Sequence, residues 1–256
     1  MILLLDIGNT HTHLGLGNEK RVTRHGDVRT AGWTHGAASG QLRDFVGGAR
    51  LTGAILCSVV PKATPAVSRA IRRWWRLSCL ELTYRNVQGV GIDYPNPQTI
   101  GQDRLANAVA ARNHWGAPVI VLDFGTAVTL DVVDRAGNYS GGIIAPGLAA
   151  MTDYLHEKTA LLPRIKIREI RTAIGRSTEE AMLIGAVHGY RGLVRELLNE
   201  LKRELKARRL PVVATGGYGR LIAAALPEIT TVEPLLTLEG LRLEWMAAQT
   251  AALRGG

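Results

Sequence analysis

The feature that most constrains this chain is a turn signature that occurs twice, each time after an apolar run. Ile2-Leu3-Leu4-Leu5 leads into Asp6-Ile7-Gly8-Asn9-Thr10, and Val119-Ile120-Val121-Leu122 leads into Asp123-Phe124-Gly125-Thr126. Strand-like runs come after both copies, Leu14-Gly15-Leu16 in the first and Val128-Thr129-Leu130-Asp131-Val132-Val133 in the second. The pattern predicts two β-hairpins whose tight turns carry the same residues. Gly permits the turn and lets backbone N–H groups approach an anion. The Thr hydroxyl adds a donor for a phosphate oxygen. The Asp repels phosphate and can act on it only through a cation or a water. One such turn is ordinary hairpin composition. Repetition of the whole unit argues instead for two related halves facing one nucleotide.

Composition narrows the class. The 256 residues are 46% apolar and 21% charged, as in a globular chain with ample core. No apolar run approaches the roughly 20 residues that span a bilayer. The apolar start, Ile2 to Leu5, lacks a basic flank and a small-residue cleavage site, so it reads as a strand and not a signal peptide. Cys57 and Cys79 have no Cys-x-x-Cys spacing and read as buried thiols. A cytoplasmic protein without a membrane partner is expected. The net charge of +9 raises a nucleic-acid reading. However, the densest basic run, Arg191 to Arg209, alternates with Glu196, Glu200 and Glu204, which predicts an amphipathic helix with i,i+4 ion pairs. Arg69, Arg72, Arg73 and Arg76 with Trp74 and Trp75 read as a surface helix packing one Trp inward. A nucleic-acid partner is therefore not expected.

A coarse pass predicts strands through residues 1–30, a helix over 40–47, a strand over 53–59 and a helix over 65–75. A strand at 79–83 precedes a Gly, Pro and Asn-rich loop over 86–98 and a helix over 103–114. The second hairpin starts at Val119, and Gly137-Asn138 marks a turn. Helices are expected over 148–158, 177–205, 219–226 and 238–253, with a strand at 212–214. Strands and helices alternate in two halves, so the fold class is α/β, with halves 1–117 and 118–256.

Three further motifs carry chemistry. Asp103 and Arg104 open a helix after Tyr94-Pro95-Asn96-Pro97 and Gly101-Gln102. They read either as a helix cap with a surface ion pair or as a general base beside an anion clamp. Thr215-Gly216-Gly217 ends a buried strand and admits a flat ring or a phosphate against the backbone, or forms a plain strand–helix turn. In Gly175-Arg176-Ser177-Thr178, Ser177 or Thr178 caps the long helix. Gly-x-x-x-x-Gly-Lys-Ser/Thr, Gly-x-Ser-x-Gly and His-Glu-x-x-His are all absent from the sequence. His11 and His13 share one side of a strand, and with no third ligand in view they read as polar loop-edge residues.

Taken in order, these motifs resemble the type III pantothenate kinases, of the acetate and sugar kinase/Hsp70/actin superfamily. The resemblance also rests on Gly141-Gly142-Ile143-Ile144-Ala145-Pro146-Gly147, Thr159-Ala160-Leu161-Leu162-Pro163 and Leu236-Thr237-Leu238-Glu239-Gly240-Leu241. It implies two ribonuclease-H-like (actin-like) halves with mixed sheets flanked by helices and a nucleotide cleft between them. It implies ATP-dependent phosphorylation of pantothenate, the first step of coenzyme A synthesis, by a homodimer using Mg²⁺ with ATP and K⁺ or NH₄⁺ as activator. Carried over, Asp103 is the proton acceptor. Tyr94, Gly101, Gln102, Arg104 and Thr178 contact pantothenate. Asp6, Ile7, Gly8, Asn9, Thr10, His11, Thr12 and His13 form the first ATP loop, Thr126 the second, and Gly216 and Gly217 the adenosine segment. Asp123 is the monovalent-cation ligand. The Bvg accessory factors, described in regulation, share these motifs, and Asp103 with both phosphate loops favours catalysis over that reading. A different superfamily kinase, acting on a sugar or acetate, is disfavoured by the Tyr94 and Asp103 motifs.

Overall fold

The period-2 alternation of the opening strand sets the first layer of structure. The computed structural model describes residues 1–254. They form two compact units: one of Met1–Gly116, Gly137–Tyr139 and the chain from Leu235 onward, the other of Ala117–Ala136 and Ser140–Pro234.

In the first unit, β1 (Ile2–Ile7), β2 (His11–Gly17), β3 (Val22–Arg29), β4 (Gly53–Ser58) and β5 (Cys79–Glu81) form a sheet of order β3-β2-β1-β4-β5. β1 runs antiparallel to β2 and parallel to β4. Successive side chains of a strand leave opposite faces. Leu3, Leu5 and Ile7 therefore pack with Leu42 and Val46 of α1 (Ala37–Val46) and with Val67 and Ile71 of α2 (Thr64–Trp75). Ile2 and Leu4 turn the other way, onto Ala106 of α3 (Gln102–Trp115) and Leu238 and Leu241 of α7 (Leu236–Arg254). Each such side chain contributes roughly 1.5–3 kcal/mol on burial. At Gly240 the two helices touch backbone to backbone, since a Cβ there would lie 1.9 Å from the Ala106 carbonyl oxygen. A short strand, β6 (Gly91–Ile92), lies within the predicted 86–98 loop and pairs in parallel with Asn138–Tyr139.

The second unit repeats the plan. β7 (Val119–Phe124), β8 (Ala127–Val133), β9 (Asn138–Pro146), β10 (Val212–Thr215) and β11 (Thr231–Val232) lie in the order β9-β8-β7-β10-β11, with β7 antiparallel to β8 and parallel to β10. Apart from β6, which extends this sheet beyond β9, the strand order repeats that of the first sheet, as do the antiparallel first hairpin and the parallel central pair. The core joins Ile120, Leu122 and Phe124 to Tyr190, Val194 and Leu198 of α5 (Thr178–Glu204) and Ile222 of α6 (Gly219–Ala223). α4 (Leu148–Lys158) precedes the segment leading to α5.

Two expectations change. The basic run from Arg191 is the second half of one long helix, and its arginines pair at spacings other than i,i+4. Arg203 pairs with Glu196 and Glu200, Arg195 reaches Glu228, and Arg191 is buried in a two-bond pair with Glu169 at 2.6 and 3.0 Å. Arg191 finds its carboxylate on the segment before the helix, where Glu169 accepts from both ends of its guanidinium fork. The first helix starts at Ala37 rather than Gly40 and ends at Val46. Trp75 packs into the core while Trp74 stays on the surface, as the pattern predicted. Among the described residues, no helix is long and apolar enough to cross a membrane.

Candidate active site

The first turn is built by the hairpin. Gly8 N–H donates to the His11 carbonyl at 3.0 Å, and a Cβ on Gly8 would sit 3.0 Å from that same oxygen. The loop is braced from behind by Thr30, whose hydroxyl donates to the Gly8 carbonyl (2.7 Å) and whose N–H donates to the Thr10 carbonyl (3.1 Å). Thr12 turns inward, 3.1 Å from the Thr30 hydroxyl and accepting from the Trp33 indole at 2.9 Å, and Ile7 lies in the core. Of the expected ATP-loop residues, Ile7 and Thr12 therefore support the turn with their side chains. Asn9, Thr10, His11 and His13 are exposed.

Asp6 is the next residue after Leu4 on the α3-facing side of β1. Only 9% of it is exposed. Burial, reinforced by the nearby Asp103 charge, raises its carboxyl to about 6, while His13 and Cys57 pull the other way. Cys57 lies opposite Asp6 on β4 and its Sγ donates to the Asp6 carboxylate at 3.4 Å. His13 lies opposite Asp6 on β2, and its Nδ1 is 2.6 Å from Asp27 on β3.

Asp103 sits in the first turn of α3, behind the cap residue Gly101. Its carboxylate accepts from Arg104 N–H at 2.8 Å, and burial raises it above the ordinary carboxylate range against the lowering effect of Arg104. Gly101 lies close against the catalytic candidate: a Cβ there would meet Asp103 Oδ1 at 2.5 Å and displace the carboxylate. Gln102 ties the helix start to the sheet, accepting from Ser58 N–H at 2.7 Å and donating to Glu81 at 3.1 Å. The Arg104 guanidinium lies 5.6 Å over the Tyr139 ring. Tyr94 meets that same ring edge-on at 6.1 Å. Asp6, Asp103, Arg104 and Tyr94 are thus gathered within the first unit.

The second unit carries the other turn. Gly125 N–H donates to the Ala127 carbonyl at 3.0 Å, and Thr126 is exposed. Only Gly125 and Thr126 separate the strands, one residue fewer than the Gly8, Asn9 and Thr10 of the first copy. Gly216 has φ +83°, and a Cβ there would lie 2.6 Å from Asp123 Oδ1. A Cβ on Gly147 would lie 2.5 and 2.3 Å from the carbonyl oxygens of Gly125 and Thr126. The Thr126 carbonyl accepts from Gly147 N–H at 3.1 Å, which ties the turn to the start of α4. Gly217 is exposed. Ser177 caps α5 by accepting from Glu180 N–H at 3.2 Å, and Glu180 returns to Arg176 N–H at 2.7 Å. Thr178 is exposed at the first helical position. No group of three or more His, Cys, Asp or Glu among the described residues could hold a metal ion by itself.

Sequence reasoning missed Cys57, Asp27 and Tyr139, which reach the first unit's cluster from distant strands. Only the Gly137-Asn138 turn hinted that Tyr139 begins a strand.

Duplicated sheets with a polar turn at the end of each first hairpin define the actin-like, ribonuclease-H-like fold class. Solved structures agree on that fold. A protein described as a Baf family transcriptional activator from Campylobacter jejuni superposes with TM-score 0.58 at 17% identity, covering 97% of this chain and 99% of that one. MreB 5 of Spiroplasma citri, bound to AMPPNP, superposes with TM-score 0.56 at 11% identity, covering 100% and 98%. Within the class the sequence is more specific. The family model for type III pantothenate kinases matches residues 2–200. A type III pantothenate kinase of Akkermansia muciniphila is 46% identical over 241 residues, which is 94% of this chain and 96% of that protein. The chain belongs to the type III pantothenate kinase family.

Proposed function

We propose that Asp103 is the general base of an ATP-dependent pantothenate kinase whose remaining site residues bind and orient the two substrates. The chain phosphorylates pantothenate in the first step of coenzyme A synthesis. The observation that carries the catalytic assignment is the half-buried Asp103 carboxylate, raised above its usual range although the Arg104 backbone N–H donates to it. A base of raised pKa takes up a proton more readily, and general bases work best when their pKa approaches the working pH. The pantothenate hydroxyl oxygen attacks the γ-phosphorus in line as its proton passes to Asp103. The bond from γ-phosphorus to the bridging oxygen breaks, and ADP leaves with that oxygen.

Charge neutralisation and positioning supply most of the acceleration in phosphoryl transfer. N–H groups of the Gly8–Thr10 turn, the Thr10 hydroxyl and the Thr126 hydroxyl would hold phosphate oxygens. Gly216 and Gly217 would leave room for the adenosine. Arg104 and Tyr94, both set on Tyr139, would hold pantothenate oxygens, with Gly101 and the exposed Thr178 as further contacts. A divalent cation bound with ATP supplies Lewis-acid neutralisation of the phosphates. Asp123 would hold the monovalent cation, K⁺ or NH₄⁺. The protein would act as a homodimer, with exposed Met151, Tyr154 and Leu155 of α4 as the surface to be covered.

The test is ADP release measured with ATP alone and with pantothenate added. Release that depends on pantothenate is expected. Equal release without it, or preference for a sugar in a substrate panel, would overturn the assignment. A regulatory role without catalysis predicts no release at all.

A further inference from the structure

Glu244 has no place in the phosphoryl transfer itself, yet it is a carboxylate only 2% exposed. Its position on α7 aims it at a segment more than a hundred residues earlier in the chain. Gln88 N–H donates to both of its oxygens, at 3.2 and 3.0 Å, and Gly89 N–H donates to Oε1 at 2.6 Å. From the other side, Arg112 Nη1 of α3 donates to the Gly89 carbonyl at 2.7 Å. The two peptide groups flanking Gly89 are therefore gripped by an anion on one helix and a cation on the other. Charge-assisted bonds of this type are about twice as strong as neutral ones. The fit is close, because a Cβ on Gly89 would meet Val109 at 2.6 Å and Glu244 Oε1 at 2.9 Å.

The chain beyond Gly89 gives the grip its consequence. Val90 is buried, and Gly91–Ile92 pairs with Asn138–Tyr139. Gly91 lies directly under the Asn138 side chain, since a Cβ would lie 2.0 Å from Asn138 Oδ1. Asp93 N–H then donates to the Tyr139 carbonyl at 3.0 Å, and Tyr94 packs edge-on to the Tyr139 ring, over which Arg104 also lies. Past Tyr94 the chain is exposed through Asn96 and forms only one short helical turn, at Pro97–Thr99, before Gly101. An exposed segment of this kind must be located from its ends, and its early end is located by Glu244 and Arg112.

We infer that Glu244, with Arg112, is a positioning residue for pantothenate: the clamp on Gln88–Gly89 sets the register of β6 and so places Tyr94 beside Arg104. The inference rests on the assignment of Tyr94 and Arg104 to the pantothenate pocket. Glu244→Gln removes the charge and, with its remaining oxygen at the Oε1 position shared by both N–H groups, turns an NH₂ group on to the Gln88 N–H, so the charge-assisted grip is lost and one contact becomes donor against donor. The shape of the side chain is kept. A segment correctly placed only a fraction of the time weakens binding in proportion to that fraction.

The experiment compares the full-length chain with Glu244→Gln and Arg112→Gln. It uses steady-state kinetics with ATP and pantothenate, and hydrogen exchange of peptides covering residues 86–100. Both variants should exchange faster at Gln88 and Gly89. The pantothenate KM should rise about tenfold, with the ATP KM and kcat changed less than about twofold. Unchanged exchange, or equal rises of both KM values as general loosening would give, overturns the clamp. Unchanged pantothenate KM in an active enzyme with faster exchange also overturns it. A wild-type chain that releases no pantothenate-dependent ADP refutes the functional reading instead, and the exchange data still decide whether the grip exists.

Discussion

Asp6→Asn separates what the fold wants from what the reaction wants. Asp6 is buried beside Asp103, and its carboxyl is raised from 3.8 to about 6. Because the folded pKa lies above the unfolded one, ionising Asp6 works against folding. That cost is absent below the unfolded value, grows as pH rises between the two, and is complete above the folded one. A shift of about two units corresponds to about 3 kcal/mol at pH 8, and roughly half of that at pH 5. Asn keeps the shape, cannot ionise, and gives up only a weak thiol contact from Cys57 at 3.4 Å. In buffer with a chelator and no nucleotide, Asp6→Asn should therefore be more stable than wild type at pH 8 by up to about 3 kcal/mol. The gap should narrow toward acid. Denaturant unfolding monitored by Trp fluorescence is the suitable assay, since all five Trp residues (Trp33, Trp74, Trp75, Trp115 and Trp245) lie in the first unit with Asp6. A variant that is less stable at pH 8, or a gap that widens as pH falls, would refute the reasoning. The same variant should lose turnover, the usual trade between a strained polar site and stability.

Other outcomes concern the same site. Asp103→Asn should keep the circular dichroism of wild type and lose turnover by a factor of ~10²–10⁴; near-normal turnover removes Asp103 from the mechanism. Arg104→Lys keeps the charge and loses the planar fork, so the pantothenate KM should rise more than the ATP KM; a selective rise for ATP would move Arg104 to the other substrate. Rates in potassium or ammonium buffer should exceed those in sodium, with Asp123→Asn abolishing the difference, and equal rates in sodium and potassium count against a cation at Asp123. Sedimentation at micromolar concentration should show a dimer, and a monomer there would leave the exposed α4 face without its partner.

Several features were legible in the sequence because their causes are local. Short continuous apolar runs before Asp6 and Asp123 specify buried strands, and the Gly after each specifies the turn; both hairpins are present. Asp103 at a helix start was visible because the acid, the capping Gly101 and the Ala-rich helix lie within a few residues of one another. That Asp6 shares a strand face with Leu4 comes from counting in twos; that α3 covers this face does not.

The loop over 86–98 shows the limit. It reads as Gly, Pro and Asn-rich irregular chain, and β6 exists there only because Asn138–Tyr139 offers it a partner. Cys57 reached Asp6 because β4 pairs with β1 in one register, and one slip of that register would turn the thiol to the other face. Likewise the closing helix reads from the sequence as a helix and nothing more. Its attachment to the first unit, its backbone contact at Gly240 and the aim of Glu244 at Gly89 are decided by what it packs on. The sequence by itself determined the duplicated hairpins, their phosphate-type turns and an acid poised at a helix start, since local periodicity and turn chemistry encode which face of an element is apolar. Which distant element covers that face, and so which polar groups are buried together around Asp6 and Tyr139, only the tertiary packing decided, because burial and desolvation arise between segments brought together by the fold.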